Sequence, residues 1–584
     1  MEFEFKQKAM PARLNRLVSE SCVALSITYV LIAITTAGDE DILKSNMNTK
    51  EYGEMECVVS KRYLNLPVRA GEKKVRMQLT IGGETVRISN IELSDNPSFW
   101  VFMDVSEFEG KTATIGFDGL PHTSKAVELI EQSDEIKGAQ DLYNESLRPQ
   151  FHFSQKRGWN NDPNGMVYYE GEWHLYYQHN PYGWNWDNMH WGHAVSKDLV
   201  HWDEMPIALY PWSMAREHCF SGSAVIDWNN SAGFQEGDER VLVAAFTDTG
   251  CGESIAFSND KGRTFTYYEG NPVVKHAGRD PKIVWFAPGE HWVMAVYDEE
   301  GGRGIAFYSS TDLKNWKRES KLNGYFECPE IFKIPVDGDA KNTRWVVFAA
   351  DAQYAIGEFD GKRFTPEDEG KHQLHWGSYY ASQTFSHAPD HDGQVADGEA
   401  VESNRRRIQI GWARINMADM PFNQTFSFPT ELTLRSTADG IRMFGEPVAE
   451  IENLRKKTHQ RKPATLTDTD HCDLATAGDL LEIMAEFSVG DAVSFGVDIG
   501  GTKVEYDMFR KQLMGMPLAP EDGRIRMRIL VDRPMIEVFG NGGRVIMTSP
   551  FRSDGNIESI SAFSNGGSTK LVNLEVHELE SIWR

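Results

Sequence analysis

Cysteine is scarce in this sequence. Six of its 584 residues are cysteine, and one of them, Cys22, lies in the N-terminal segment. The other five are an odd number and show no Cys-x-x-Cys spacing: Cys57, Cys219, Cys251, Cys328 and Cys472. The sequence therefore predicts neither a disulfide framework nor a zinc cluster.

Basic residues are also in the minority. The chain has 60 Lys and Arg against 86 Asp and Glu, which gives a formal net charge of −26, and it contains no long Lys/Arg cluster. Because such a chain repels polyanions, nucleic acid and anionic membranes are excluded as partners. A neutral substrate such as a sugar fits this charge best.

Long apolar runs are lacking as well. The run from Cys22 to Ile34 is well short of the roughly 20 apolar residues that span a bilayer. Basic residues precede this run, and Thr35-Thr36-Ala37 follows it. This order is typical of a secretory signal. We therefore expect residues 1–37 to be removed by cleavage near Ala37, leaving a secreted or periplasmic protein without a membrane-spanning segment.

Helical periodicity is rare, whereas short runs rich in β-branched and aromatic residues recur between Gly, Asn, Asp and Pro, which predicts an all-β fold. Five similar runs start 68, 51, 53 and 63 residues apart: Trp173–Gln178, Val241–Phe246, Trp292–Tyr297, Trp345–Ala350 and Ile408–Trp412. A turn containing Asp and then an aromatic residue follows each of the first four. One hairpin per repeat at this period predicts a five-bladed β-propeller over residues 149–455.

Alternating apolar and polar residues continue on both sides of the repeats. Residues 54–132 hold enough such segments for a small β-sandwich-like accessory module, and residues 133–148 form a polar linker. Residues 465–584 alternate again, which predicts a C-terminal β-sandwich.

Three short motifs supply carboxylates from different repeats: Trp159-Asn-Asn-Asp-Pro-Asn-Gly165, Arg279-Asp-Pro281 and Glu327-Cys-Pro329. Cleavage of a glycosidic bond with retained stereochemistry needs two carboxyl groups about 5 to 5.5 Å apart. Each motif alone also fits an ordinary turn, a surface ion pair or a strand end. Their joint occurrence in repeats one, three and four favours a catalytic site.

With these motifs the chain resembles glycoside hydrolase family 32, the levanases, inulinases and invertases, over residues 149–584. Further motifs carry the resemblance: Tyr177-Gln-His-Asn-Pro181, Asn188-Met-His-Trp-Gly-His-Ala194, Phe220-Ser-Gly-Ser223, Tyr379-Tyr-Ala-Ser-Gln-Thr384 and Pro429-Thr-Glu-Leu-Thr-Leu434. The family's architecture, a five-bladed propeller followed by a β-sandwich, agrees with the repeat count.

The resemblance implies a role for each of the charged residues. Asp162 would attack C2 of a fructosyl unit, and Glu327 would first donate a proton to the leaving oxygen and then act as a base toward water. Asp280 would hydrogen-bond sugar hydroxyls and stabilise the transition state. Arg279 would pair with the nearby carboxylates and tune the proton affinity of Glu327.

The terminal fructose would be bound by Asn161, Gln178, Trp186 and Ser221, with Phe220 as an apolar wall. Neither a metal ion nor a cofactor is required by this chemistry. His179, His190 and His193 are interpreted as pocket-wall or core residues rather than as metal ligands.

The expected substrate is a fructan, levan or inulin, attacked in exo fashion with release of fructose, with sucrose as a secondary substrate. An endo-levanase and an invertase are the alternatives, followed by a pentose-specific propeller glycosidase and a non-catalytic fructan-binding protein.

Two residues depart from the family pattern. Asp187 stands where Gly usually follows the tryptophan, and Thr430 stands where Arg usually follows the proline. Asp187 could narrow the pocket mouth or change what lies beyond the first sugar.

Overall fold

The computed structural model describes residues 52–211, 218–393, 406–476, 478–552 and 557–583. Within these ranges the only helices are short 3-10 turns: Ser106–Phe108, Ala126–Leu129, Ala139–Asp141, Ala287–Gly289 and Ala449–Leu454. The prediction of an all-β chain is therefore confirmed. Over the same ranges, no helix is long and apolar enough to cross a membrane. The predicted signal segment, residues 1–37, lies outside the described residues.

The N-terminal part contains seven strands: β1 (Tyr52–Val58), β2 (Tyr63–Val68), β3 (Val75–Ile81), β4 (Glu84–Ile91), β5 (Phe99–Asp104), β6 (Thr112–Asp118) and β7 (Glu131–Ser133). They form a four-stranded sheet in the order β1-β6-β3-β4 and a three-stranded sheet in the order β5-β2-β7. The apolar side chains of both sheets share one buried cluster, which also contains Tyr182 from the following part of the chain. Strand β4 is the edge of the larger sheet.

The middle of the chain contains three separate antiparallel hairpin sheets and a larger one. The first four-strand group is β8 (Gly158–Tyr169), β9 (Glu172–Asn180), β10 (His190–Ser196) and β11 (Trp202–Leu209). The second is β12 (Cys219–Ile226), β13 (Leu242–Asp248), β14 (Gly252–Ser258) and β15 (Thr266–Tyr267). The third is β16 (Gly278–Phe286), β17 (His291–Asp298), β18 (Gly304–Ser310) and β19 (Lys317–Asn323).

Twelve further strands complete this part: β20 (Glu330–Val336), β21 (Asp339–Phe348), β22 (Gln353–Phe359), β23 (Phe364–Pro366), β24 (His372–Gln373), β25 (His375–Gly377), β26 (Tyr379–Thr384), β27 (Arg407–Ala413), β28 (Phe422–Asn423), β29 (Thr425–Phe426), β30 (Thr430–Thr437) and β31 (Gly440–Pro447). Ten of them share one sheet, in which β20 and β30 pair in parallel at Val336 and Leu434. The described residues thus hold four sheets here, and the count of five blades stays a prediction.

The repeated sequence runs have a common structural position. Each lies largely within the second strand of its hairpin, in β9, β13, β17, β21 and β27. The aspartates in the turns accept backbone N–H groups two to four residues further on, as Asp312 does from Lys314 at 3.0 Å and Asn315 at 2.8 Å. The periodicity therefore arises because each hairpin has an apolar second strand and, in the first four, an Asp that closes the turn after it.

The first strands of successive groups contact one another. Strand β8 contacts β12, β12 contacts β16, and β16 contacts β20, while β26 returns to β8. Strand β28 pairs with β8 in parallel, at Phe422 with Gly158 and at Asn423 with Trp159. The chain thus closes the ring on its first sheet in a propeller-type arrangement.

The C-terminal part contains thirteen strands: β32 (Arg455–Arg461), β33 (Ala464–Leu466), β34 (Cys472–Ala475), β35 (Leu480–Ser488), β36 (Ser494–Ile499), β37 (Thr502–Asp507), β38 (Gln512–Leu513), β39 (Met516–Pro517), β40 (Arg524–Asp532), β41 (Met535–Gly540), β42 (Val545–Pro550), β43 (Ser559–Asn565) and β44 (Thr569–Leu579). They form a six-stranded and an eight-stranded sheet around one apolar core. Strand β25 joins the larger sheet by pairing in parallel with β42.

The predicted polar linker, residues 133–148, packs against the rest of the chain. Arg148 is fully buried and pairs with Glu145 at 2.9 Å. The ring of Tyr143 stacks on that of Trp583, with centroids 3.9 Å apart. This segment consequently ties the N-terminal part to the end of the chain.

Candidate active site

The inner strands bend where they reach the predicted site. Register shifts interrupt the pairing of four of them: β8 between Asn160 and Pro163, β12 between Cys219 and Gly222, β16 between Arg279 and Lys282, and β26 between Tyr380 and Gln383. A β-bulge inserts an extra residue and redirects the local side chains. Each bulge spans or adjoins a residue of the site, and at Gly222 a Cβ atom would stand only 1.9 Å from the carbonyl oxygen of Ala245.

Three residues of the site have left-handed backbone conformations that are unusual for side chains other than glycine. The φ angles are +68° at Asp280, +50° at Glu327 and +38° at Cys328. Such conformations cost about 1–3 kcal/mol each and persist only where neighbouring structure holds them. Here Thr247 Oγ1 accepts the Asp280 N–H at 2.8 Å, and Asp280 Oδ2 accepts the Cys328 N–H at 3.1 Å.

These strands surround an open cavity of about 300 Å³. Its lining contains Asn161, Asp162, Gln178, Trp186, Phe220, Ser221, Arg279, Asp280, Glu327, Tyr380 and Trp412. All nine residues predicted for catalysis and sugar binding are in this set.

Asp162 lies on β8, partly buried, and accepts side-chain hydrogen bonds from a hydroxyl and from an amide. Ser221 Oγ donates to Oδ2 at 2.6 Å, and Asn161 Nδ2 donates to Oδ1 at 3.2 Å. Burial and the charge of Glu327 nevertheless raise the pKa of Asp162 from 3.8 to about 6. The carboxylate form is therefore available near neutral pH, but it is held less firmly than in water.

Glu327 follows a turn ahead of β20 and is held at both oxygens. Arg279 Nη2 donates to Oε1, and the Tyr380 hydroxyl donates to Oε2 at 2.6 Å. Burial and the charge of Glu327 raise the pKa of Tyr380 above its ordinary value, so this hydroxyl keeps its proton. The carboxyl group is thereby fixed toward the cavity by one cation and one neutral donor.

Asp280 is the most buried of the three carboxyl groups, at 5% exposure. Arg279 Nε is 3.8 Å from its Oδ2. Burial and the neighbouring charges of Glu327 and Asp162 raise its pKa well above the ordinary value in spite of this arginine. Asp162 and Asp280 therefore both hold a proton more firmly than a solvent-exposed aspartate does.

Cys328 lies between two of these carboxyl groups. Its Sγ is 3.5 Å from both Asp162 Oδ2 and Asp280 Oδ2. Burial and the surrounding carboxylates raise the pKa of the thiol well above 9. The thiol thus remains protonated and acts as a weak donor rather than as a nucleophile.

The remaining predicted sugar contacts form the wall of the cavity. Gln178 Nε2 donates to the Cys219 carbonyl at 2.8 Å, and this residue lines the cavity. Trp186 is 46% exposed at the mouth, with its ring edge toward Phe220 at a centroid distance of 6.2 Å. This combination of amide, hydroxyl and aromatic groups suits a ring covered in hydroxyls.

Two lining residues have no predicted role from the sequence. Tyr380 is part of the motif beginning at Tyr379, but its bond to Glu327 depends on how β26 lies in the ring. Trp412 ends a run predicted only as a buried strand, yet its ring is partly exposed and packs edge-on against Trp159 at 5.9 Å. A large aromatic at the end of an otherwise buried run was the available signal.

The two residues that depart from the family pattern are buried and are not among the residues that line the cavity. Asp187 is 8% exposed, is absent from the lining, and directs its carboxylate to Lys74 at 2.6 Å. Thr430 is 2% exposed and donates to the Phe428 carbonyl at 3.0 Å. Neither contacts the three carboxyl groups among the interactions described.

No group of three or more His, Cys, Asp and Glu side chains in the described ranges is arranged to hold a metal ion. His190 and His193 are each 1% exposed, and burial lowers the pKa of both imidazoles. His179 Nδ1 contacts the Trp159 carbonyl at 2.8 Å. These histidines contribute to packing and to backbone hydrogen bonds.

Comparison with known proteins identifies a family. Residues 152–447 match the glycosyl hydrolases family 32 N-terminal domain, and residues 450–578 match the family's C-terminal domain. A levanase from Bacillus subtilis (strain 168) is 37% identical over 502 residues, which are 76% of this chain and 72% of that protein. An extracellular exo-inulinase, inuE, from Aspergillus ficuum is 29% identical over 76% of this chain and 96% of its own length.

A solved structure of similar fold is that of the exo-inulinase from Aspergillus awamori. The TM-score is 0.67 at 27% sequence identity, over 76% of this chain and all of that one. The match of both domain models, together with the levanase similarity, shows that this chain belongs to glycosyl hydrolases family 32 and is a glycoside hydrolase.

Proposed function

We propose that the chain is a retaining β-fructosidase that hydrolyses fructans, levan or inulin, from the non-reducing end and releases fructose, with sucrose as a secondary substrate. The observation that carries this proposal is the meeting of Asp162, Asp280 and Glu327 in one open cavity. The relatives named levanase and exo-inulinase support the substrate class.

Asp162 is the proposed nucleophile. Its carboxylate attacks C2 of the fructosyl unit and forms a covalent fructosyl-enzyme while the bond to the leaving oxygen breaks. The hydroxyl of Ser221 points at the same oxygen atom that Cys328 approaches, which leaves Oδ1 as the less crowded atom for attack.

Glu327 is the proposed acid and base. It gives its proton to the departing oxygen and then removes one from the water that releases fructose. Glu327 and Asp162 line the same cavity, and Cys328, which follows Glu327, contacts Asp162 at 3.5 Å; this proximity supports the paired carboxyl groups that a retaining mechanism requires. Arg279 and Tyr380 keep Glu327 aimed through both steps.

Asp280 and the wall residues are proposed to bind the terminal sugar. In its protonated form Asp280 can donate as well as accept hydrogen bonds, and the shift of its pKa works against a permanent negative charge there. Asn161, Gln178 and Ser221 offer amide and hydroxyl partners. Trp186 and Phe220 provide the apolar faces.

Exo action is favoured by the size of the cavity. A volume of about 300 Å³ is at the small end of ligand pockets, which suits one terminal fructose better than a run of several sugars. An endo-levanase or an invertase would differ in what lies beyond this unit. Two further alternatives to a β-fructosidase remain: a pentose-specific propeller glycosidase and a non-catalytic fructan-binding protein.

The proposal extends to the organisation of the chain. Residues 1–37 are a signal peptide cleaved near Ala37, followed by an accessory module at 54–132, a linker at 133–148, a five-bladed propeller at 149–455 and a β-sandwich at 465–584. Export is supported by the similar inulinase, whose name describes it as extracellular.

The test is a product time course of the purified mature protein on levan, inulin and sucrose, resolved by chromatography. Fructose alone from levan or inulin is the expected result. Short oligosaccharides would indicate an endo enzyme, and release from sucrose alone would indicate an invertase. Asp162→Ala serves as the inactive reference in the same assay. If wild type releases no more product than this variant from any of the three substrates, the proposal is contradicted.

A further inference from the structure

The loop between β9 and β10 connects the cavity to the N-terminal strands. Within it, Trp186 stands at the cavity mouth, 46% exposed, whereas the next two residues turn inward. Asp187 is 8% exposed and Asn188 is 4% exposed. The loop therefore exposes the ring of Trp186 at the cavity mouth and buries the polar side chains of Asp187 and Asn188.

Both buried side chains are bound by the N-terminal part of the chain. Lys74 Nζ lies 2.6 Å from Asp187 Oδ2, and Asn90 Nδ2 donates to Asp187 Oδ1 at 3.1 Å. Asn188 Oδ1 accepts the Asn90 N–H at 2.7 Å, and Asn188 Nδ2 donates to the Asn90 carbonyl at 2.7 Å. One asparagine of β4 thus contacts two successive loop residues through three of its polar groups.

The position of Asn90 explains this geometry. Strand β4 is the edge of its sheet, so the outward backbone groups of Asn90 have no neighbouring strand to pair with. Asn188 takes the place of that strand. Arg76 Nη1 donates to Asn90 Oδ1 at 3.1 Å, which orients the amide so that its N–H₂ faces Asp187.

Charge compensation strengthens the contact. Lys74 pairs with Asp187, and the pKa of Glu92 is raised by burial and by the charge of Asp187 but lowered by the charge of Lys74. The Asp187 side chain is 11% exposed and that of Lys74 is 45% exposed. Without Lys74 the repulsion between the charges of Asp187 and Glu92 would lose this compensating cation.

The contact also shapes the loop backbone. Asp187 Oδ1 accepts the Asn188 N–H at 2.8 Å, and Asn188 has a φ of +44°. A glycine at position 187, as the family pattern expects, would provide none of these contacts. This chain has both Asp187 and the N-terminal module, residues 54–132, whose Lys74 and Asn90 bind it.

We propose that Asp187 is a positioning residue through which the N-terminal module fixes Trp186 against the terminal sugar. The inference rests on the proposed function, since it deepens the role of that same pocket. It gives the module a part in substrate binding that requires no sugar site of its own.

The experiment compares Lys74→Met and Asp187→Asn with wild type in kcat and KM on sucrose and levan, in thermal unfolding, and in hydrogen exchange of residues 181–189. We expect KM to rise by about three- to tenfold with kcat within about twofold of wild type, because the lost contacts act on binding. Exchange in the loop is expected to become faster. Lys74→Arg keeps the charge and should restore most of the affinity.

The matched control is Lys61→Met. Lys61 belongs to the same module, is 49% exposed and pairs with Asp134 at 2.5 Å, and none of its described contacts is with the loop. It should leave KM and loop exchange unchanged. Faster exchange or a lower unfolding temperature without a change in KM would overturn the positioning role, as would wild-type values throughout. If wild type hydrolyses none of the substrates, the proposed function fails. The positioning role of Asp187 is tested separately by hydrogen exchange, and unchanged exchange of residues 181–189 in both variants would refute it.

Discussion

Two clusters of buried ionisable groups lie in this protein and differ in how their charges are satisfied. The carboxyl cluster consists of Asp162, Asp280 and Glu327 at the cavity. The His152 cluster consists of His152, Asp532 and Glu537, and it joins the segment ahead of β8 to strands β40 and β41. Both place two carboxyl groups near one another away from water, yet only the first opens to a cavity.

In the His152 cluster every carboxylate is well supplied with donors. Asp532 accepts the backbone N–H groups of Gln150, Phe151 and His152 at 2.6 to 3.0 Å, and His152 Nδ1 at 2.9 Å. The two carboxylates outweigh burial and raise the pKa of His152 from 6.5 to about 9. At the cavity, three carboxyl groups share one arginine, and the pKa of two of them is raised.

The difference separates stability from reactivity. A fully paired buried cluster fixes the packing of two parts of the chain, because removing one partner leaves a buried charge behind. An under-compensated cluster with strained φ angles stores free energy that catalysis can use, at the expense of stability. The comparison predicts that the same change, a buried acid replaced by its amide, has opposite consequences in the two clusters.

The largest effect is expected from Asp162→Asn and Glu327→Gln. Each should lower kcat about 10⁴-fold or more, because no other described group can replace the nucleophile or the acid. The melting temperature of Asp162→Asn should not fall, since the amide removes a carboxyl group whose pKa is raised by burial and by the charge of Glu327. Fructose release and calorimetry on the same preparations check both statements. A clear loss of thermal stability would mean that the carboxyl cluster stabilises the fold as the His152 cluster does, and would contradict the comparison.

Asp532→Asn should give the reverse pattern. The loss of the charge facing a buried imidazolium is expected to lower the free energy of unfolding by about 3–5 kcal/mol. The kcat of the folded protein should stay within about twofold of wild type, because Asp532 is remote from the cavity lining. Urea unfolding followed by tryptophan fluorescence measures the first quantity. Retained stability would show that the three backbone donors alone hold this carboxylate.

The His152 cluster also predicts a dependence of stability on pH. The pKa of His152 is raised in the folded state, so its contribution is fully present below pH 6.5 and is lost as pH rises through about 9. The loss should be about 3 kcal/mol. Melting temperatures of wild type and His152→Gln between pH 6 and 10 test this. The variant should show the flatter profile over that window, and parallel profiles would contradict the assignment.

Much of the fold and of the site could be predicted because the signals are local. Each repeat needs an apolar strand and an Asp turn, so a period of 51 to 68 residues is visible in the chain. Asp162, Asp280 and Glu327 occur in short motifs with turn-forming neighbours, and the structure brings them to one cavity. Gly222 of the Phe220-Ser-Gly-Ser223 motif has to be glycine, because the backbone carbonyl of Ala245 approaches it too closely at the bulge for a Cβ atom.

The rest depends on contacts between distant segments. His152 and Asp532 are 380 residues apart, and Lys74 and Asp187 are 113 apart, so no local pattern pairs them. The sequence could mark Asp187 as unusual but gave no partner for it. Tyr380 likewise reaches Glu327 only because β26 returns to β8 in the ring.

The smallest effect is expected from the loss of a single hydrogen bond at Asp162. Ser221 lowers the pKa of Asp162, whose value of about 6 should set the acid limb of kcat/KM. Removing the hydroxyl in Ser221→Ala should move that limb to higher pH, because the carboxylate loses its shortest donor. Ser223→Ala is the control, since Ser223 lies two residues further along β12 and donates to the Pro281 carbonyl at 2.9 Å instead. An acid limb at the same pH in both variants would mean that burial and Glu327 alone set the proton affinity of Asp162.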